Sequence, residues 1–269
     1  MLLSAIAQLP GLRSLTEPLR RRRARQRFVT QYASFFGVFP TRGDALASAP
    51  PSVLLGYDHD QVVPSYRRLL DAQLAKQGLE SYEYPMLHWI ESIWRLGDGR
   101  RILDFGGNLG THFYAFAKYF EYPSDLVWWI VDVPSIVAEG TRIAQERGTT
   151  ALHFATRIAD APTPNLLIAS GSLQYLDDPT DMVRDAGLPR HVLINRFPLG
   201  SSDAFWTLQN GGEVCYAQRV SNRATFLASM QALGYRLVDE WVDHHDRCDI
   251  PMHPERSVPA YSGFYFVTP

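Results

Sequence analysis

Cysteine is nearly absent: Cys215 and Cys248 are the only two among 269 residues, and they form no C-x-x-C spacing. That excludes a disulfide-framed fold and a structural zinc site, and it fits a reducing cytoplasm. Neither sign of charge prevails, the formal net charge being -2, so no general electrostatic attraction to nucleic acid is expected. No run approaches the ~18 apolar residues of a membrane-spanning helix. The opening MLLSAIAQLPGLRSL lacks a basic region in front and is broken by Pro10 and Gly11, so it does not read as a signal peptide.

What is present suits one sizeable α/β core with an extension, since 46% of the residues are hydrophobic and 20% charged. Near the start, Arg20, Arg21, Arg22, Arg23, Arg25 and Arg27 crowd a short helical stretch. The run reads either as a solvated basic helix or as a peripheral contact of residues 1–27 with an anionic membrane. Residues 31–51 are rich in turn formers with a few rings to bury. Residues 61–76 have helical spacing, and Pro85 is placed to start a helix through the aromatic stretch SYEYPMLHWIESIW. A helical N-terminal extension over residues 1–95 is the expectation.

From Arg100 the pattern becomes regular. Strands expected at 101–105, 126–133, 151–155, 165–170 and 192–196 alternate with helices at 111–120, 135–147 and 179–186. Such alternation means a parallel sheet covered on both faces. A helix over 222–233 follows, and then YRLVDEWVD and GFYFV read as two strands with no helix between them. They require an antiparallel finish. A mostly parallel seven-stranded Rossmann-like sheet with an antiparallel last strand is the class I methyltransferase architecture, assigned here to residues 96–269.

In such a sheet, ligands sit beyond the carboxyl ends of the strands. The first strand ends in Asp104 and a glycine loop, Gly106, Gly107 and Gly110, that opens a helix and suits a nucleoside-type cofactor. The second ends at Asp132, 22 residues past Gly110, where a carboxylate can accept from a ribose diol. Strand four ends in Ser170, Gly171 and Ser172, small enough for a flat group to approach, and then in Gln174 and Tyr175, which could face a substrate. Strand five ends in Asn195 and Arg196, placed either to bind a ligand or to brace a loop.

Taken together, LDFGGNLGTHF, VDVP, SGSLQYLDDP, INRFPL and the loop before YSGFYF resemble the S-adenosylmethionine-dependent methyltransferases often encoded among bacterial surface-polysaccharide genes, over about residues 57–266. The loop departs from the commoner D-x-G-x-G-x-G. The resemblance implies S-adenosylmethionine as cofactor, with Asp104, Gly106, Gly107 and Gly110 at its methionine part and Asp132 at the ribose. Asn108, Val133, Ser172 and Leu173 complete the expected cofactor set. The implied reaction is O-methylation of a sugar hydroxyl in surface-glycan biosynthesis. A small-molecule methyltransferase of secondary metabolism and a catalytically silent cofactor-binding scaffold are the alternatives.

A hydroxyl acceptor needs a base, worth about 10² to 10⁴-fold. Of the histidines in the loop between the last two strands, His253 stands in a proline-stiffened segment and is the expected base, with Arg196 and Tyr175 beside it at the acceptor. The adjacent His244 and His245 would point to opposite faces of extended backbone, so no metal site is expected in that loop.

Overall fold

In a computed structural model, which describes residues 10–51 and 53–269, two sheets share the chain. Helix α1 (Pro10–Thr30) leads into strand β1 (Phe35–Phe39), helix α2 (Arg42–Ala47), the short strand β2 (Leu54–Leu55), and helices α3 (Val63–Ala75) and α4 (Tyr84–Arg95). Then come β3 (Arg101–Phe105), α5 (Thr111–Phe116), β4 (Val127–Val131), α6 (Pro134–Glu146), β5 (Leu152–Ala155), β6 (Leu166–Ser170), α7 (Asp181–Asp185) and β7 (His191–Phe197). The chain finishes with β8 (Leu199–Gly200), β9 (Phe205–Asn210), β10 (Val214–Asn222), α8 (Arg223–Ala232), β11 (Arg236–Asp243) and β12 (Tyr261–Val267).

The larger sheet has the order β11-β12-β7-β6-β3-β4-β5. Strands β7, β6, β3, β4 and β5 pair in parallel, and β12 runs antiparallel between β7 and β11. This is the seven-stranded class I methyltransferase sheet, as its strand pattern implied. Alternation along each strand feeds two cores. Ile102, Trp128, Ile130, Leu166, Ile168 and Leu193 face α4, α5 and α6, while Leu103, Val131, Leu167, Ala169, Val192 and Ile194 face α7 and α8. Both faces are buried, so these strands read as continuous apolar runs. Helix α4 buries Met86, Ile90, Ile93 and Trp94 as one stripe, the spacing an amphipathic helix needs.

The second sheet, ordered β1-β9-β10-β2 with β8 also on β10, had no counterpart in the sequence reading. It draws β1 and β2 from before residue 95 and β8, β9 and β10 from after it. Its hairpin turns at Gly211 and Gly212, where Gly212 takes φ +91°. Tyr216 lies opposite Gln209 and Gln218 opposite Thr207, which puts these four on one face. Cys215 and Ala217 take the other face and pack with Phe28, Ala45, Trp206 and Leu208.

Helix α1 presents its arginines Arg20 to Arg23, Arg25 and Arg27 to solvent and buries Ala24 and Phe28. Of residues 1–27, expected as a peripheral membrane contact, residues 1–9 lie outside the described residues. Among the described residues, no helix is long and apolar enough to cross a membrane.

Candidate functional site

The carboxyl ends of β3, β4, β6 and β7 open onto a cavity of about 790 Å³, within the range of ligand pockets, roughly 300–1,000 Å³. The glycine loop forms its floor. Gly106 and Gly110 take φ +70° and +91°, and Asn108 takes φ 55°, a conformation asparagine tolerates better than most residues. Gly107 is required for a different reason: a Cβ there would stand 2.6 Å from the Asp104 carboxyl carbon. The loop therefore lies flat on a buried acid.

Asp132 ties this floor to β4. Its Oδ2 accepts from the Asn108 N–H at 3.0 Å and its Oδ1 from the Val133 N–H at 2.8 Å. Each carboxylate oxygen keeps acceptor capacity, enough for a vicinal diol. Burial, more than the backbone donors can offset, pushes this carboxyl up to about 6. Ser172 braces the loop from β6, donating to the Phe105 carbonyl at 2.7 Å with its Cβ pressed on Gly106.

Of the expected cofactor residues, Gly106, Gly107, Asn108, Asp132, Val133 and Ser172 line the cavity. Three do not. Asp104 is fully buried beneath the loop and accepts from Trp128 Nε1 at 3.3 Å. Gly110 caps α5 and packs toward Leu152 and Tyr114, and Leu173 is buried in the core on the α7 side.

The expected catalytic residues divide similarly. Arg196 and Tyr175 line the cavity. Arg196 adopts φ 54°, donates from Nε to Asp246 Oδ2 at 2.6 Å, and lies 5.1 Å over the Tyr82 ring. Tyr175 donates to Gln209 Oε1 at 3.1 Å. His253 is not in the lining; its Nδ1 sits 3.5 Å from Glu255 Oε1 in a largely exposed pair. The loop histidine that reaches the cavity is His245, which pairs with Asp246. Asp243, at the end of β11, accepts from the N–H groups of His245 and Asp246.

One cavity residue that no motif marks is His112. It lines the cavity two residues past Gly110, with Nδ1 3.4 Å from the buried Asp104 Oδ2 and its ring stacked on Phe116. Burial opposes its cation, but the hydrogen bond and charge of Asp104 prevail and raise its pKa. The available signal was the Asp104-to-His112 spacing across a turn that folds back on its strand. Also missed was the opposite wall, Tyr57, Tyr216, Gln209 and Gln218, placed there by the second sheet and the loop after β2. The Asn210-Gly211 pair between alternating residues was the sign of its hairpin. Burial holds the phenols of Tyr57, Tyr66, Tyr175 and Tyr216 above their usual range, so they stay protonated.

No protein-family model and no curated protein sequence matches the chain. Solved structures do align with it. One is the 1,6-didemethyltoxoflavin N1-methyltransferase of Burkholderia thailandensis, crystallised with 1,6-didemethyltoxoflavin and S-adenosylhomocysteine: 16% identical, TM-score 0.49, covering 86% of this chain and 94% of that one. Another is the magnesium protoporphyrin IX methyltransferase of Synechocystis with bound S-adenosylhomocysteine, 12% identical over 78% of this chain and 97% of that one, TM-score 0.47. The CcbJ methyltransferase of Streptomyces caelestis is 13% identical over 78% and 96%, TM-score 0.49.

Proposed function

We propose that this chain is an S-adenosylmethionine-dependent methyltransferase acting on a hydroxyl oxygen, with a sugar of surface-glycan biosynthesis as the acceptor that its family resemblance favours. The observation that carries the reading is Asp132, a cavity-lining carboxylate with capacity for two hydroxyl donors, joined by backbone to a glycine loop on a class I sheet. Bound there, S-adenosylmethionine supplies an electrophilic sulfonium methyl.

The chain's own residues do the rest. Asp132 holds the ribose hydroxyls, and Gly106, Gly107 and Asn108 let backbone approach the remainder of the cofactor. Methyl transfer is an in-line displacement, so alignment within the cavity is the main contribution. The acceptor proton needs a base. His112 suits that role better than His253: a tautomer donating from Nδ1 to Asp104 leaves Nε2 with its lone pair on the other side of the ring. The protonated tyrosines cannot serve as bases. Residues 96–269 then carry the cofactor, while Tyr32, Tyr57, Tyr66 and Tyr82, from before residue 96, join the second sheet in enclosing the acceptor. The exposed arginines of α1 support a peripheral contact with anionic membrane.

Titration calorimetry of the full chain with S-adenosylhomocysteine, S-adenosylmethionine and NAD tests the reading. The first two are expected to bind; binding of NAD alone would overturn it.

A further inference from the structure

The two ends of the cavity differ in charge. At the end near Arg196 the cationic side chains that line the cavity are each paired among the described residues: Arg196 with Asp246 at 2.6 Å, Lys76 with Glu80, His112 with Asp104 at 3.4 Å, His245 with Asp246 at 3.4 Å and Arg247 with Asp249 at 3.0 Å. The wall built by the second sheet carries no formal charge. Tyr57 stacks on Tyr216 with ring centroids 4.3 Å apart and 22° between planes, and Tyr175 sets its edge against both at 5.1 and 5.2 Å.

Two amides at this wall have hydrogen-bonding capacity to spare. Gln174 is 4% exposed and Gln218 0%, both line the cavity, and the side-chain oxygen of each has no partner among the described residues. Gln218 donates from Nε2 to Tyr261 Oη at 3.0 Å, which fixes the amide without satisfying its oxygen. Buried polar groups are normally paired, so two orphans on one cavity wall mark the place of a missing donor.

We propose that this wall is the acceptor subsite and that it takes an uncharged ring bearing hydroxyl groups, a glycoside or a phenol. The proposal rests on the methyl-transfer reading above. Aromatic faces suit a ring, and orphan amide oxygens accept from hydroxyls. A carboxylate or phosphate would lose its hydration here without finding an unpaired cation. The phosphate of a sugar phosphate is excluded from this wall, though not from the cavity mouth.

The test uses the full chain and tritium transfer from methyl-labelled S-adenosylmethionine. Probes come in pairs: methyl glucoside against methyl glucuronide, glucose against glucose 6-phosphate, and catechol against 3,4-dihydroxybenzoate. The uncharged member of at least one pair is expected to take label ten times faster than its charged partner. Label on a glycoside identifies a sugar site, and label on catechol a phenol site. Gln174→Leu and Gln218→Leu, made separately, are expected to raise KM for the accepted probe at least tenfold with S-adenosylhomocysteine affinity unchanged within twofold, which also shows that they are folded. Equal labelling of charged partners, no labelling of any uncharged probe by a wild-type chain that binds S-adenosylhomocysteine, or an unchanged KM in both variants would each overturn the proposal. Failure of the wild type to bind S-adenosylhomocysteine would instead remove the cofactor reading beneath it.

Discussion

The two walls of the cavity are built in opposite ways. The wall from the parallel sheet is backbone: a glycine loop, two main-chain N–H groups on Asp132, and a serine pressed against a glycine. The wall from the second sheet is side chain: stacked phenols and amides on alternate positions of β9 and β10, with Tyr57 from a distant loop. A backbone surface suits a ligand that is the same in every relative of a fold. Side chains are what changes when the second substrate does, so specificity belongs to the second wall.

The sharpest way to break this division is Asp132→Ala. Loss of two hydrogen bonds to a charged acceptor, each about 1.5–3 kcal/mol, should weaken S-adenosylhomocysteine binding by roughly 100-fold or more by calorimetry. Gln209→Leu, on the other wall, should leave that affinity within twofold. If both variants lose it equally, the cofactor spans the two walls and the division fails.

The difference also decided what could be read from sequence. The turn from Gly106 to Asn108 and the strand-end Asp132 are legible because strand, turn and helix follow one another within a few residues, and the backbone conformation demands particular residue types; that Asp104 and Gly110 lie beneath the turn rather than in the cavity is not. The parallel strands are legible because burial on both faces leaves runs such as Leu166 to Ala169 with no polar member. The second sheet is not: Phe35 pairs with Gln209, far along the chain, and only the folded topology joins them. Its inner face carries Gln209, Tyr216 and Gln218 where a core would carry apolar residues, so the alternation that marks a half-buried strand is blurred. His253 misled because its prolines signal rigidity but not direction.

Two glycines offer a matched pair of lesions. A Cβ on Gly107 would meet Asp104 at 2.6 Å, and a Cβ on Gly211 would meet the Tyr216 ring at 2.6 Å. Each alanine forces a packed neighbour aside, typically at ~1–3 kcal/mol, and thermal unfolding should register a loss of roughly 2–4 °C per kcal/mol for a chain of this size class. Gly107→Ala should also weaken S-adenosylhomocysteine. Gly211→Ala should spare it and impair the acceptor alone, and the reverse pattern would exchange the roles of the walls.

pH separates the walls next. The phenols of the second wall do not titrate near neutrality, but the Asp132 carboxyl does, at about 6. The carboxylate is the form that accepts two hydroxyls, so the bound state has the lower pKa and binding releases a proton as pH falls through the free value. Affinity is therefore fully present from about pH 7 upward, is halved near pH 6 and should be down roughly tenfold by pH 5. Asp132→Asn should flatten that dependence, and a wild-type profile flat from pH 7 to 5 would separate Asp132 from the cofactor.

The smallest expected effect concerns the one residue that stands between the walls. Arg196 ends a strand of the parallel sheet, yet its guanidinium is clamped from outside it, by Asp246 and by the Tyr82 ring at 5.1 Å. Its left-handed backbone, φ 54°, is strained for a residue of this size, and the clamp is what holds it there. Tyr82→Leu keeps apolar bulk and removes the cation–π contact, about 0.5–1 kcal/mol and up to ~2 when desolvated. The expected result is a fall of a few degrees in Tm with S-adenosylhomocysteine affinity unchanged, placing Arg196 with the acceptor wall. A loss of cofactor affinity beyond threefold would put the arginine on the cofactor side, and the boundary between a backbone wall and a side-chain wall would then run through Tyr82 rather than through Arg196.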